Sequence, residues 1–295
     1  MSTLRPTKLK DIIGQKKIVD RLYITVQASK ARNDAMPHML FNGPPGLGKT
    51  TFASAVSVSR EVDLQIANGG NIRTIKDIMP YLLRLKENSV LFVDEIHRLP
   101  MVVEEFLYPI MEDFRMDIGG EKVVSMNLPA FTLIGATTLG GALSRPFYDR
   151  FLYHLDLDLY DTQAILEIIK ANSSKVGLTF DESALKSLAS RCRGTPRHAN
   201  NYLTWIRDYS QSSNKSYITK ELVDKAMRMI GVDERGITKQ DYEYLEVLRR
   251  NGKPMGLATL VGSTGFDRDT IEYTIEPYLL RLNMIQKTPK GRVLV

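Results

Sequence analysis

The stretch GPPGLGKT at residues 43–50 constrains the fold more than any other part of the chain. It fits the pattern G-x-x-x-x-G-K-T and lies between an apolar run that predicts a strand and a run that predicts a helix. In such a loop, backbone N–H groups surround phosphate oxygens, Lys49 reaches the β- and γ-phosphates, and the Thr50 hydroxyl ligates Mg²⁺. A chance Gly/Pro turn is the alternative, and the flanking patterns disfavour it. The predicted nucleotide-binding residues here are Gly43, Pro44, Pro45, Gly46, Leu47, Gly48, Lys49, Thr50 and Thr51.

A second apolar run, SVLFVDE at 89–95, ends in two acids. Asp94 is predicted to hold Mg²⁺ through its water shell, and Glu95 is placed to polarise the attacking water as a general base. An acid pair at a strand end is also typical of a helix N-cap, and DEIHRL could open a helix. The phosphate-binding loop favours the catalytic interpretation. His97 is expected to be structural.

Short apolar runs at 38–43, 89–95 and 131–138 predict buried strands, and helical patterns separate them. This alternation predicts an α/β fold with a parallel sheet. The third run, FTLIGATT, ends in Thr137 and Thr138, whose hydroxyls are candidates to contact the γ-phosphate or the water. The spacing favours Thr138.

The chain divides into three predicted domains at 1–160, 161–231 and 232–295. The middle block is helical throughout. The last block begins with a helix after Thr238, continues through a Gly-rich turn to a helix capped by Asp267, and ends in two short strands. We find no internal repeat.

Composition limits the choice of compartment and partner. The net charge is +6, from 40 Lys+Arg against 34 Asp+Glu, which is only weak support for an anionic partner. Cys192 is the only cysteine, so no internal disulfide forms and a reducing compartment is expected. No signal peptide is visible, and no run approaches the roughly 20 apolar residues that span a bilayer. We therefore expect a soluble cytoplasmic protein.

Arginines in two segments are candidates to stabilise a phosphoryl transition state, a role that often falls to a neighbouring subunit. SRPFYDRF offers Arg145 and Arg150, and RGTPRHAN offers Arg197 at the start of a helix. A solvated surface arginine is an equally good interpretation of Arg145.

The order of the P-loop, VDEIHRL, GATT, DRF and GTPRHAN is typical of an AAA+ ATPase. The runs EEFLYPIMEDF, RGTPRHAN and TIEYTIEPYL…TPKGR closely resemble the RuvB family of Holliday-junction branch-migration motors, over nearly the whole chain. The resemblance implies an AAA+ P-loop domain with a parallel sheet, a small all-helical lid and a C-terminal winged helix. It also implies ATP hydrolysis with Mg²⁺, homo-hexameric rings on duplex DNA, and helicase-like branch migration in recombination and repair.

The resemblance also implies roles for individual residues. Arg150 matches the arginine finger, and Arg197 matches the second sensor. The residues that match those framing the nucleotide in the family are Leu4, Arg5, Glu112, Asp113, Phe114 and Tyr160.

The cationic end of the chain, KTPKGRV at 287–293, matches the tip of the winged-helix wing. In the family, the wing and the start of the third helix touch the duplex backbone. The predicted DNA-binding residues are Arg268, Lys287, Lys290 and Arg292. Cations on a short tip suit a sequence-independent grip on phosphates, and a solvated basic turn is the alternative.

Two segments depart from the family pattern. The hairpin at 115–130, RMDIGGEKVVSMNLPA, is shorter than usual, with Gly119–Gly120 as the predicted turn and a charged tip, so we predict weak or absent docking of a RuvA-like partner. Tyr148 stands where the family usually has a further arginine, and Arg145 stands where a small residue is common.

Two alternative functions stay open. A clamp-loader-like or initiator AAA+ switch would use ATP to assemble other proteins on DNA, and the S-R setting of Arg145 leaves room for it. A scaffold that binds ATP without turnover is disfavoured by intact Lys49, Asp94 and Glu95.

Overall fold

The computed structural model describes residues 4–119, 124–212 and 215–295. Gly120, Glu121, Lys122 and Val123, which complete the predicted turn and tip of the 115–130 hairpin, lie outside these ranges. The chain forms two compact units. One comprises the chain as far as Ile168 together with Thr195–Arg197, and the other comprises Ile169–Gly194 with His198–Val295.

The first unit alternates strands and helices. Its helices are α1 (Lys16–Arg32), α2 (Lys49–Arg60), α3 (Ile75–Leu82), α4 (Met101–Asp113) and α5 (Arg145–Asp149), with α6 (Thr162–Ser173) continuing into the second unit. Its strands are β1 (Met39–Asn42), β2 (Leu64–Asn68), β3 (Val90–Asp94), β4 (Arg115–Ile118), β5 (Val124–Asn127), β6 (Thr132–Thr137) and β7 (Tyr153–Asp156).

Five parallel strands form the central sheet, in the order β2-β3-β6-β1-β7. The three predicted strands are β1, β3 and β6, and every residue of β6 is buried, as expected where helices cover both faces of a sheet. Because all five strands run the same way, the P-loop after β1, Asp94 at the end of β3 and Thr137 at the end of β6 lie at one edge. The α/β prediction is confirmed, and β2 and β7 extend the sheet on either side.

Helices dominate the second unit. The remaining helices are α7 (Glu182–Arg191), α8 (Pro196–Ser212), α9 (Lys220–Met229), α10 (Lys239–Asn251), α11 (Leu257–Thr264) and α12 (Glu276–Arg281). The remaining strands are β8 (Thr179–Phe180), β9 (Tyr217–Ile218), β10 (Ile285–Thr288) and β11 (Gly291–Leu294). The helices predicted for the middle block are present, and the short parallel pair β8–β9 joins them, an addition that the helical pattern does not predict.

The C-terminal segment is a winged helix, as predicted. Helix α10 begins with a capping box in which Asp241 accepts a hydrogen bond from the Thr238 N–H at 2.7 Å. The third helix starts at the Asp267 cap, passes through a π-helical turn at Thr270–Ile275 and continues as α12. Strands β10 and β11 pair antiparallel and form the wing.

Strands β4 and β5 form the predicted hairpin, with Ile118 paired to Val124 at its described end. Both side chains are exposed there. Among the described residues, no helix combines the length and the apolar character that crossing a membrane requires.

Candidate nucleotide and nucleic-acid sites

Lys49 lies inside the P-loop. Its ammonium donates to the carbonyl oxygens of Gly43 at 2.6 Å and Pro44 at 3.0 Å. Burial lowers the pKa of Lys49 to about 8; the charge of Asp94 acts to raise this pKa and that of Arg197 acts to lower it further. The fold therefore brings a carboxylate and a second cation, each distant in sequence, close enough for their charges to act on the lysine.

The backbone conformation at Gly43 explains why the first residue of the loop is a glycine. Its φ is +141°, and a Cβ there would lie 2.5 Å from the carbonyl oxygen of Leu157. A side chain would therefore push the loop away from the strand edge and misplace Lys49.

Thr50 and Asp94 provide oxygen donors beside Lys49. Thr50 lies in the first turn of α2, Asp94 is the last residue of β3, and one Asp94 oxygen accepts the Glu95 N–H at 3.0 Å. Mg²⁺ prefers hard oxygen ligands and usually binds through one or two protein groups together with phosphates and waters. The two side chains fit such an ion.

Glu95 adopts a left-handed backbone conformation, with φ +50° and ψ +42°. A residue other than glycine in this region costs about 1–3 kcal/mol and is often found at functional sites. Its carboxylate accepts a hydrogen bond from the Arg98 guanidinium at 3.1 Å. Sequence reasoning missed Arg98, although its position three residues after Glu95 was the available signal.

The two candidate threonines have different surroundings. The Thr137 hydroxyl is buried, lies 3.0 Å from His97 Nδ1 and accepts the Leu139 N–H at 2.9 Å. Thr138 follows the strand and is exposed. Burial lowers the pKa of His97, so its imidazole is neutral at pH 7 and connects the segment after β3 to the end of β6.

Arg197 lies against the P-loop. Its backbone N–H donates to the Gly46 carbonyl at 3.3 Å, and a Cβ built on Gly46 would lie 3.2 Å from the Arg197 Cβ. The Arg197 side chain is exposed. The backbone of Arg197, the predicted second sensor, is therefore hydrogen-bonded to the backbone of the phosphate-binding loop.

Arg150 and Arg145 differ in how firmly they are held. The Arg150 guanidinium donates to the Pro146 carbonyl at 2.8 Å, pairs with Glu112 at 3.0 Å and stacks on Tyr108 with its carbon 4.1 Å from the ring centre. Its side chain is 22% exposed. The Arg145 side chain is 80% exposed and pairs with Asp149 at 2.9 Å.

The other residues that the resemblance assigns to nucleotide binding differ in how far they are buried. Tyr160 is buried against Gly14, and burial raises its pKa to about 12. Leu4 is buried, whereas Arg5 and Asp113 are exposed. Phe114 is partly buried in the core, with its ring centre 5.8 Å from that of Phe131.

In the winged helix, Lys287 and Arg292 are paired in register across the wing, and Lys290 is exposed in the turn between the strands. The side chains of Lys287 and Arg292 both form an ion pair with Glu276. Glu276 lies 2.6 Å from the Lys287 ammonium and 2.8 Å from Arg292 Nε. Arg268, one turn before Glu272, pairs with that residue at 2.9 Å.

Three family models match the chain in succession. Residues 4–157 match the Holliday junction DNA helicase RuvB P-loop domain, 160–233 the RuvB AAA lid domain, and 234–295 the RuvB C-terminal winged helix domain. This chain belongs to the RuvB family. The resemblance predicted from the motifs is confirmed, and so are the P-loop, lid and winged-helix folds.

Relatives in the RuvB family cover nearly the whole chain. A Holliday junction branch migration complex subunit RuvB from Rhodopirellula baltica is 42% identical over 99% of this chain and 81% of its own length. The subunit of the same name from Nitratiruptor is 41% identical over 99% and 89%. The solved Thermotoga maritima RuvB Holliday junction branch migration motor is 35% identical, covers 99% of this chain and 95% of that chain, and superposes with a TM-score of 0.91.

Proposed function

We propose that this protein is an ATP-driven motor that encircles duplex DNA as a homo-hexamer and drives branch migration of Holliday junctions in recombination and repair, in the cytoplasm. The observation that carries the proposal is the convergence of Asp94 and Arg197 on Lys49 at one edge of the sheet. Its membership in the RuvB family, and a winged helix with a cationic wing on the same chain, supply the substrate class.

In the proposed mechanism, Lys49 and the P-loop N–H groups bind the β- and γ-phosphates, and Thr50 and Asp94 hold Mg²⁺, which would neutralise phosphate charge. Glu95 orients the water and accepts its proton, and Arg98 donates to one of its two carboxylate oxygens. Thr138 contacts the γ-phosphate or the water.

Two further arginines complete the proposed site. Arg197 senses the nucleotide in its own subunit, and Arg150 stabilises the transition state on ATP held by the adjacent subunit. Nucleotide-framing contacts are assigned to Leu4, Arg5, Glu112, Asp113, Phe114 and Tyr160.

For DNA, we propose that the wing and the start of the third helix bind phosphates of either strand without reading bases. Arg268, Lys287 and Lys290 provide the exposed cations. Arg292 belongs to the same surface and is paired with Lys287 across the wing.

The experiment is strand separation on a synthetic four-way junction with ATP, with and without added RuvA. Wild-type protein should separate the junction into two duplexes, whereas Glu95→Gln should bind ATP and the junction but turn over about 10²–10⁴ times more slowly. Binding of the junction without ATP-dependent separation by the wild type would reject the motor.

The alternative is a clamp-loader-like or initiator AAA+ switch, for which the argument is the S-R setting of Arg145 in the sequence. Particle symmetry separates the two. A six-fold particle on duplex DNA supports the motor, and an open five-membered assembly with a bound clamp supports the loader.

A further inference from the structure

Helix α5 is short, and both of its ends contact one tyrosine of α4. Ser144 is the N-cap residue of α5 and Arg150 is its C-cap residue. The Tyr108 hydroxyl lies 3.0 Å from the Ser144 hydroxyl. The Arg150 guanidinium lies over the face of the Tyr108 ring, with its carbon 4.1 Å from the ring centre. A single side chain of α4 therefore contacts both the residue that begins α5 and the arginine that ends it.

The Ser144 hydroxyl is used for this contact and does not cap its own helix. A serine at the N-cap position commonly accepts a hydrogen bond from a backbone N–H of the first turn, but the Ser144 side chain makes no such bond. It donates to the Glu104 carboxylate at 2.5 Å instead. Because a hydroxyl has only one proton to donate, Ser144 accepts the hydrogen bond from Tyr108. The chain of donors runs from Tyr108 through Ser144 to Glu104 and fixes the tyrosine hydroxyl.

Glu104, Tyr108 and Glu112 follow one another at intervals of four residues along α4. Side chains at this spacing lie on one face of a helix, which here is the face that contacts Ser144 and Arg150. Glu104 is 4% exposed, so leaving its carboxylate without the Ser144 donor would be costly. The Glu112 side chain is 55% exposed and pairs with Arg150 at 3.0 Å. The buried acid therefore holds the start of α5, and the exposed acid lies beside the guanidinium.

We propose that Tyr108 is a positioning residue for Arg150, and that Glu104 and Ser144 hold Tyr108 in the place that this requires. An arginine is a long side chain with many rotamers, and stacking on an aromatic face restricts the plane of its guanidinium. A cation that stabilises a transition state is most effective when it is oriented before the reaction. This inference rests on the proposed function, in which Arg150 acts on ATP held by the adjacent subunit.

The first test measures steady-state ATP hydrolysis by full-length variants. Tyr108→Leu should lower kcat about tenfold, the scale of a partly desolvated cation–π contact, and leave KM for ATP nearly unchanged, because a finger acts in the transition state. The control is Tyr81→Leu, which removes a tyrosine of α3 that packs on the same apolar core and should keep the wild-type kcat.

The relay from Tyr108 to Glu104 is tested at Ser144. Ser144→Ala should also lower kcat, since it removes the hydroxyl that joins the two side chains, and it removes no cap from α5. Ser144→Thr keeps the hydroxyl and should restore the wild-type rate. Equal rates for the alanine and threonine variants would overturn the relay, and this comparison decides the matter even if Tyr108→Leu fails to assemble.

The second test separates the positioning of Arg150 from damage to the variant's own ATP site. In rings mixed with Lys49→Ala protein, a Tyr108→Leu subunit keeps its P-loop, and a Lys49→Ala neighbour offers it an Arg150 supported by an intact Tyr108. Hydrolysis per intact P-loop should therefore rise above that of Tyr108→Leu rings, relative to the same mixture of wild type and Lys49→Ala. Arg150→Ala protein should respond to mixing in the same way.

Three results would overturn the inference, and they differ in what they say about the proposed function. Wild-type kcat in Tyr108→Leu protein, beside an impaired Arg150→Ala protein, would reject the positioning role alone. So would a Tyr108→Leu defect that mixing does not relieve although it relieves Arg150→Ala, because the damage would then lie in the variant's own site. Wild-type hydrolysis by Arg150→Ala would remove Arg150 from the proposed mechanism, and the inference would fail with it.

Discussion

The Lys49 ammonium group belongs to the P-loop motif, and its pKa is set by how the fold buries it. The pKa of Lys49 is about 8, because burial disfavours the charged form. Bound phosphates favour the charged form, so nucleotide binding takes up a proton where Lys49 is partly neutral. ATP affinity should therefore be constant below the pKa of the free protein and decrease above it.

We expect the affinity of Glu95→Gln protein for ATP to fall by up to about tenfold per pH unit between about pH 8 and about pH 9.5. Calorimetry in two buffers of different ionisation enthalpy would measure both the affinity and the proton uptake. Lys49→Arg is the control, because an arginine stays charged throughout this range. Identical pH profiles for lysine and arginine would show that the dependence comes from another group.

Among the elements, the segment that follows α7 and the start of α10 are joined by a buried ion pair between Arg193 and Asp241. The side chains are 7% and 1% exposed. Arg193 also donates to the Gly236 carbonyl at 2.8 Å and stacks on Tyr278, 4.5 Å from the ring centre. Within the second unit, this pair attaches the helical lid to the winged helix.

Asp241→Asn should destabilise the second unit by about 3–5 kcal/mol, since Arg193 would remain buried without its counter-charge. Scanning calorimetry of the full chain measures the loss. Glu246→Gln is the matched control on the same helix, because Glu246 pairs only with exposed Arg249 and Arg250 among the described residues, and such pairs contribute about 0–1 kcal/mol. Equal effects of the two substitutions would contradict this account.

The β4–β5 hairpin supports a second prediction, which concerns the binding of a partner protein. Its described end exposes Ile118 and Val124 as a single apolar cross-strand pair, 39% and 64% exposed. Strong binding hot spots are usually aromatic or arginine side chains in desolvated pockets, and this pair provides neither.

We therefore predict weak or absent binding to a standard RuvA in surface plasmon resonance, together with junction separation in its absence. The variant Ile118→Ser/Val124→Ser should separate junctions as the wild type does. Tight RuvA binding that this variant abolishes would refute the prediction.

For the whole molecule, the proposed ring makes catalysis depend on two subunits. If Arg150 acts on ATP in the adjacent subunit, neither Arg150→Ala nor Lys49→Ala protein should hydrolyse ATP by itself. Mixed rings contain interfaces that pair an intact P-loop with an intact Arg150, and fingers of this kind contribute about 10³–10⁵ in rate.

Mixing the two variants should therefore restore part of the ATPase activity, measured by phosphate release across a range of mixing ratios. Mass spectrometry of the intact assemblies is the control that mixed rings have formed. Rings shown to be mixed but inactive would place Arg150 in its own subunit's site, a position compatible with its present contact with Glu112.

The sequence by itself determined the features that contiguous residues encode. The P-loop, the acids that end β3 and the central strands are short local patterns whose physical requirements are met within a few residues. The starts of two C-terminal helices follow in the same way from the caps at Thr238 and Asp267, whereas the winged-helix prediction came from the resemblance to the family. Strands β2 and β7 were not predicted, because LQIAN and YHLD mix polar and apolar residues and become strands only by pairing with stronger neighbours.

Only the tertiary structure decided which distant groups meet. The placement of Arg197 on the P-loop and the choice between Thr137 and Thr138 as the exposed hydroxyl depend on how loops leave the sheet. The charge pattern of the chain end shows cations with no later acid, whereas the fold supplies Glu276 from the preceding helix. Long-range ion pairs form where the fold brings distant residues together and buries them. The spacing of neighbouring residues does not predict which distant residues will meet.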